Sequence, residues 1–405
     1  MRCRNRRVLA SLALVAMVGG ACGGDDEGGG ASGDEPKVAA GAGLGVSATQ
    51  SSISILRSNL TGLLEQHVFL TGLTTAAALS GGDPAPPSAV LDQNSQALAL
   101  VVGAVYGDEG SQAFLDLWRR QVSLLLDFGQ ASAAGDTAKL DATKAALDVY
   151  RDELATFLNT ANPQLAKDAL LDDQKTYLGG LQQAITAQAK QDPTAVAKLA
   201  KAAQHMPRTA AVLAAGIAKQ RPAFGGLVDG SAATLRAVLT SRLQEHAYLV
   251  WLTTGVILAR GDSKPAADAL DANSTELANV VSGAYGDAAA ASFLTLWRTH
   301  IGFFVDYAQA TLAADTAKAA QARSQLDGFG ASLGAFLHAA NPNLDAAEVA
   351  ADLRAHTTSL LTAIDAQATG DASQFAKIQA AAGRMAMTAE LLAGAIAGQF
   401  PARFS

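Results

Sequence analysis

Apolar residues recur at three- and four-residue steps through most of the chain. From about Ser47 to Leu79 the stripe runs Ile53, Leu56, Leu60, Leu63, His67 and Leu70, the spacing of one helix face rather than the alternation of a strand. Gly81-Gly82-Asp83-Pro84 closes this run, since glycine and proline punctuate helices. Later interruptions fall at Tyr106-Gly107-Asp108, Gly135-Asp136, Ala161-Asn162-Pro163 and Gln191-Asp192-Pro193. Each joins a helix terminator to an Asp or Asn suited to capping the next helix. No segment sustains a period of two, so the pattern predicts helices and no sheet. Long helices joined by short turns are expected to lie antiparallel in an up-down bundle.

The whole pattern occurs twice, at a constant offset of 179 residues. His67 matches His246, Tyr106-Gly107-Asp108 matches Tyr285-Gly286-Asp287, and Leu117-Trp118-Arg119 matches Leu296-Trp297-Arg298. Ala161-Asn162-Pro163 likewise matches Ala340-Asn341-Pro342. The register holds to Gln220-Arg221-Pro222 against Gln399-Phe400-Pro401. A period this long marks duplication of a whole domain, not a short-repeat solenoid. The sequence therefore predicts an all-α protein of two tandem homologous up-down bundles, with about six helices each. The first spans 47–222, the second 231–401, and a Pro/Gly linker at 223–230 joins them. Each is expected to fold separately, because the repeat holds a full core's worth of chain.

Residues 1–21 read as a targeting segment. Arg2, Arg4, Arg6 and Arg7 form a basic start, and Val8 to Val18 a short apolar stretch, too short for a permanent membrane span. It ends in Gly19-Gly20-Ala21-Cys22, followed by Gly23-Gly24-Asp25-Asp26-Glu27, and resembles a bacterial lipoprotein signal. That resemblance implies lipid on Cys22 and anchoring to the outer face of the bacterial cell membrane. Cys22 is then the single cysteine left, which excludes an intramolecular disulfide or a thiolate metal cluster. The Gly/Ala/Asp/Glu-rich stretch 22–46 reads as a flexible tether.

Charge narrows the partners. The net charge is −7, and without the four N-terminal arginines 26 basic residues face 37 acidic ones. Such a chain has no basic surplus for nucleic acid or anionic headgroups, so lipid on Cys22 must do the tethering. Catalytic signatures are missing as well. There is no Glu-x-x-His, His-Glu-x-x-His, P-loop, Cys-x-x-Cys or Gly-x-Ser-x-Gly. Gly328 to Gly334 is glycine-rich, but no strand precedes it and its counterpart around Asp148 to Leu154 has no glycine. An enzyme is the weakest of the three functional classes considered.

The chemistry that remains is histidine and methionine. His246 lies on a stripe with Leu239, Leu243, Leu249 and Trp251, and His300 with Phe293, Trp297, Phe304 and Tyr307. His356 sits between Leu353 and Leu360. All three are mid-helix and inward-facing, and mid-helix positions in an antiparallel bundle share one layer. Beyond the signal segment the only methionines are Met206, Met385 and Met387, all on the last helix of a repeat. His246, His300, His356 and Met385 are thus the candidate ligands for copper or another transition metal, an imidazole–thioether set that suits copper. Weaker candidates are His67, His205, Met206 and Met387. Glu245, Asp306 and Asp352 are candidate partners that orient the imidazoles. In the first repeat Gln121 stands where His300 does and Tyr177 where His356 does. Either that repeat lacks a site, or the layer in both is a hydrogen-bond network that organises the core. The latter describes a structural or partner-binding surface lipoprotein. His338 reads as a helix-end residue, and Trp118 and Trp297 as core.

The segments Tyr285-Gly286-Asp287, Phe293 to Tyr307 and Ala340-Asn341-Pro342 resemble a family of exported bacterial helical-repeat lipoproteins. The resemblance covers about 50–401. It implies a helical fold and export, and it supplies no catalytic residue.

Overall fold

Each break read in the sequence ends a helix. In the computed structural model, which describes residues 48–404, no strand is present among the described residues. The signal segment, Cys22 and the tether lie outside the described residues. The first repeat comprises α1 (Ser52–Leu79), α2 (Ala85–Tyr106), α3 (Asp108–Ala134), α4 (Thr137–Ala161), α5 (Lys167–Ala189), α6 (Ala195–Ala203) and α7 (Met206–Gln220). The second comprises α8 (Ser231–Leu258), α9 (Lys264–Tyr285), α10 (Asp287–Leu312), α11 (Thr316–Ala340), α12 (Ala346–Ala368) and α13 (Gln374–Gln399).

The two sets of helices begin and end at matching positions for local reasons. Asp136 and Asp315 accept from the backbone N–H of Lys139 and Lys318, capping α4 and α11. Gly107 and Gly286 both turn the chain with φ of 86°, which side chains rarely tolerate. One difference between the repeats has a single-residue cause. Pro207 stands where the second repeat has Ala386. Proline cannot donate within a helix and clashes with the preceding turn. The first repeat therefore divides into α6 and α7 what the second keeps as the unbroken α13.

Helices α1 and α8 lie at the centre. Helix α1 packs against α2, α3, α5, α6 and α7, and α8 against α9, α10, α12 and α13. They also pack against each other. Ser58 and Thr240 share a hydrogen bond of 2.8 Å, Gly62 faces Gln244, and Phe69 stacks on Tyr248 at 4.5 Å. These contacts advance together along both chains, so the two helices run parallel. Arg57 reaches the Val228 carbonyl at 2.6 Å and Arg236 the Thr49 carbonyl at 2.8 Å, tying the linker and the start of the described chain to the pair.

This interface buries carboxyls. Glu245 accepts hydrogen bonds from Gln204, Arg242 and Asn273. Glu65 is fully buried, and burial together with the charge of Glu245 holds its carboxyl well above the usual range. A buried acid without a cationic partner stays neutral by keeping its proton.

The glycine-rich stretch Gly328–Gly334 lies inside α11. Gly330 and Gly334 let that helix approach the backbone of α12, where added methyls would meet the carbonyl oxygens of Ala350 and Ala346. Gly328 has open space around it. Gly334→Ala is expected to cost about 1–3 kcal/mol through overpacking. Gly328→Ala is expected to gain about 0.5–1 kcal/mol through helix propensity. Urea denaturation of the two variants checks this, and equal effects would contradict the close approach.

Candidate metal centre

Three helices of the second repeat each bring one imidazole to the same place. His246 comes from the middle of α8, His300 from α10 and His356 from α12. All three have no solvent exposure. One nitrogen from each lies within 4.8 Å of the others. The Nε2 atoms of His300 and His246 are 3.1 Å apart, and the ring centroids of His246 and His356 are 5.8 Å apart. The shared layer expected from mid-helix placement thus forms for these three residues.

Aromatic side chains wall the cluster. Trp297 lies 4.7 Å from His246 and 4.4 Å from His300, ring centre to ring centre. Phe329 stacks on His300 at 4.4 Å with the planes 13° apart, and Phe304 meets His300 edge-on. Sequence reasoning missed Phe329, because it sits within the glycine-rich stretch of α11. Its signal was its counterpart: position 329 matches Tyr150.

The two repeats differ at this layer in their hydrogen bonds. In the first repeat Tyr150 donates to the Gln121 carbonyl oxygen at 2.8 Å. Gln121 Nε2 in turn donates to the Tyr177 hydroxyl at 2.7 Å. Trp118 Nε1 donates to His67 Nδ1 at 3.1 Å. In the second repeat the corresponding layer has far fewer internal partners. Both ring nitrogens of His356, Nδ1 of His246 and Nε1 of Trp297 have no protein partner. Leaving such groups buried costs about 1–3 kcal/mol each.

Burial dictates the protonation state. Desolvation, aided by the His356 ring, pushes His300 down to about 3, and desolvation with the charge of Arg384 pushes His356 down to about 4. His246 is driven well below its ordinary value by burial and then by its two neighbours. All three are therefore neutral at pH 7 and offer lone pairs, the form a metal requires.

The other candidates lie elsewhere. Met385 is buried and lines a cavity together with His356 and Trp297. Met387 is exposed and faces away from the buried cluster. Met206 is buried in the first repeat, where no imidazole cluster forms among the described residues. His205 pairs with Asp173 at 2.9 Å, and Thr209 donates to the same carboxylate. Arg384 and Thr388 repeat that arrangement on Asp352, so Asp352 is committed to them and does not orient His356. Asp306 is exposed on the outer face of α10 and cannot reach the layer. Glu245 is turned to the α1–α8 interface, where its charge acts on Glu65. The expected orienting carboxylates are thus not at the imidazoles, and aromatic walls hold the rings instead. His338 bonds the Leu344 carbonyl at the helix end, as its position implied.

Comparison with protein-family models finds no match, and comparisons with curated proteins and with solved structures find none either.

The depressed imidazoles set an acid limb. A basic group whose folded value lies below its unfolded value of 6.5 contributes fully above pH 6.5 and loses that contribution as pH falls toward 4. Replacing His300 with Gln, Phe329 with Tyr and His356 with Tyr transplants the first repeat's network. Between pH 7.5 and 4.5 this variant is expected to lose about 2–3 kcal/mol less stability for each imidazole removed. Denaturant titrations at the two pH values measure the difference, and parallel losses would contradict neutral buried rings.

Proposed function

We propose that the protein is a non-enzymatic metal-binding lipoprotein of two tandem bundles, whose second bundle holds an ion between His246, His300 and His356. The observation that carries this is His356, fully buried with neither ring nitrogen bonded to protein. Two ligands about 2 Å from one ion sit a little farther apart than the 3.1 Å separating the His300 and His246 nitrogens. The three nitrogens, within 4.8 Å of one another, draw in toward that spacing to hold the ion.

Copper(I) is the ion the surroundings suit. The three imidazoles are neutral and no carboxylate pairs with them, so an entering cation keeps its whole charge. A buried uncompensated charge is costly, and the cost rises steeply with charge. A monovalent ion is therefore favoured over a divalent one. Met385, on the cavity wall beside His356, adds a thioether that favours the same soft ion.

Export and anchoring rest on Arg2 to Arg7, the apolar stretch and Cys22. No helix among the described residues is long and apolar enough to cross a membrane; lipid on Cys22 is the proposed attachment. Cys22→Ala should release the protein into the medium or leave an uncleaved precursor; a processed variant retained on the membrane would contradict it.

A second reading is favoured by one contact: the hydrogen bond between His300 and His246 lets the imidazoles organise the core without metal. Titration with copper(I) against a coloured copper(I) chelator separates the two, with zinc(II) in parallel. One equivalent of copper(I) is expected, with thermal stabilisation of about 2.7 kcal/mol at a hundredfold excess over Kd. The triple variant His300→Gln, Phe329→Tyr, His356→Tyr should fold and take up none. Equal uptake by that variant would overturn the assignment.

A further inference from the structure

The imidazole cluster borders, through His356, a cavity that the rings do not fill. It has a volume of about 60 Å³, and its wall includes Leu243, Leu277, Val281, Trp297, His356 and Met385. We infer that this cavity admits a small uncharged molecule of diatomic size to a fourth position on the bound metal. The inference rests on the proposed copper(I) site.

Three features support it. The first is size: an apolar cavity of about 150 Å³ takes benzene, so this much smaller space suits a few heavy atoms and excludes rings. The second is chemistry. Buried water needs two to four polar partners, whereas the carboxylate in the wall is already engaged and the proposed metal takes up a free nitrogen of His356. Asp352 is held by Arg384 and Thr388. Beside His356 and the indole N–H of Trp297 the wall is leucine, valine and aromatic carbon, with too few free polar groups to hold water once the metal is bound. Such cavities stay dry and take apolar guests. The third is placement. His356 and Met385 both contribute to the wall, so a fourth position facing the cavity is contested only by a thioether, a weak donor. An incoming neutral molecule displaces Met385 rather than an imidazole, and it adds no charge to an apolar interior.

The first repeat supplies an internal comparison. A matching cavity of about 50 Å³ lies beside Trp118, with Leu64, Leu98 and Val102 in its wall. The hollow therefore belongs to the duplicated unit. Tyr177, the counterpart of His356, and Met206, the counterpart of Met385, are not part of that wall. Only in the second repeat does the hollow open onto potential ligands.

Two probes test the inference on the full chain. Xenon-129 resonance of the metal-free protein is expected to report bound xenon in both hollows, and Val281→Phe, or Leu392→Phe from the α13 side, is expected to remove the second-repeat population alone. Val102→Phe, in the first repeat, is expected to spare that population. The copper(I)-loaded protein exposed to carbon monoxide is expected to show one C–O stretching band, absent from Val281→Phe with its copper retained and present in Val102→Phe. Met385→Leu should raise carbon monoxide affinity severalfold, because the competing donor is gone. Copper uptake without a carbonyl band overturns this inference alone, as does a band or xenon signal that neither filling variant diminishes. Failure of copper(I) to bind at all overturns it together with the metal reading.

Discussion

Helices α1 and α8 run parallel and in register, and the rest of the molecule is arranged around that contact. Each is buried on nearly every side, so neither resembles a surface helix with one apolar stripe. One face of α8 carries Thr240, Gln244 and Glu245 to α1, and another carries His246 to α10 and α12. A rotation of α8 that relieved one face would misplace the other. The seating of α8 against α1 thereby fixes the height and direction of His246, and with them the meeting of three imidazoles.

Duplication places two such layers within one protein, under the same backbone and nearly the same apolar surroundings. In the first, amide and hydroxyl groups bond in a chain from Tyr150 through Gln121 to Tyr177, and the indole of Trp118 finds His67. In the second, imidazoles replace Gln121 and Tyr177, a phenyl ring replaces Tyr150, and the indole of Trp297 loses its acceptor. A hydrogen-bonded layer contributes structure by satisfying itself. A layer of neutral imidazoles joined by the single His300–His246 hydrogen bond satisfies itself less, and on the proposed reading a bound ion makes up the difference. The absence of carboxylates at the rings is what leads the proposal to an ion of low charge.

Much of this was legible in the sequence. Gly81 to Pro84, Gly107, Gly135 and Asn162 mark helix ends whatever the tertiary context, because glycine and proline act through the local backbone. His246, His300 and His356 were found because each lies on a three- and four-residue stripe. What escaped depends on contacts between distant segments. Glu65 and Gln66 look like solvent-facing residues of α1, and only the partner helix buries them. The α6–α7 break needed Pro207 to be weighed against Ala386. Asp306 falls off the inward face of α10 that Phe304 and Tyr307 share with His300, and Met387 lies two residues from Met385 on the opposite face of α13. Spacing along one helix distinguishes both once the inward stripe is known. Phe329 became meaningful only when its ring was seen against His300.

Whether the three buried imidazoles form one metal site is tested most directly by anomalous diffraction from crystals of the copper-loaded protein. One strong copper peak is expected about 2 Å from a ring nitrogen of each of His246, His300 and His356, with the direct bond between His300 and His246 broken. A copper peak confined to surface carboxylates, with that hydrogen bond intact and no density among the three rings, would contradict it.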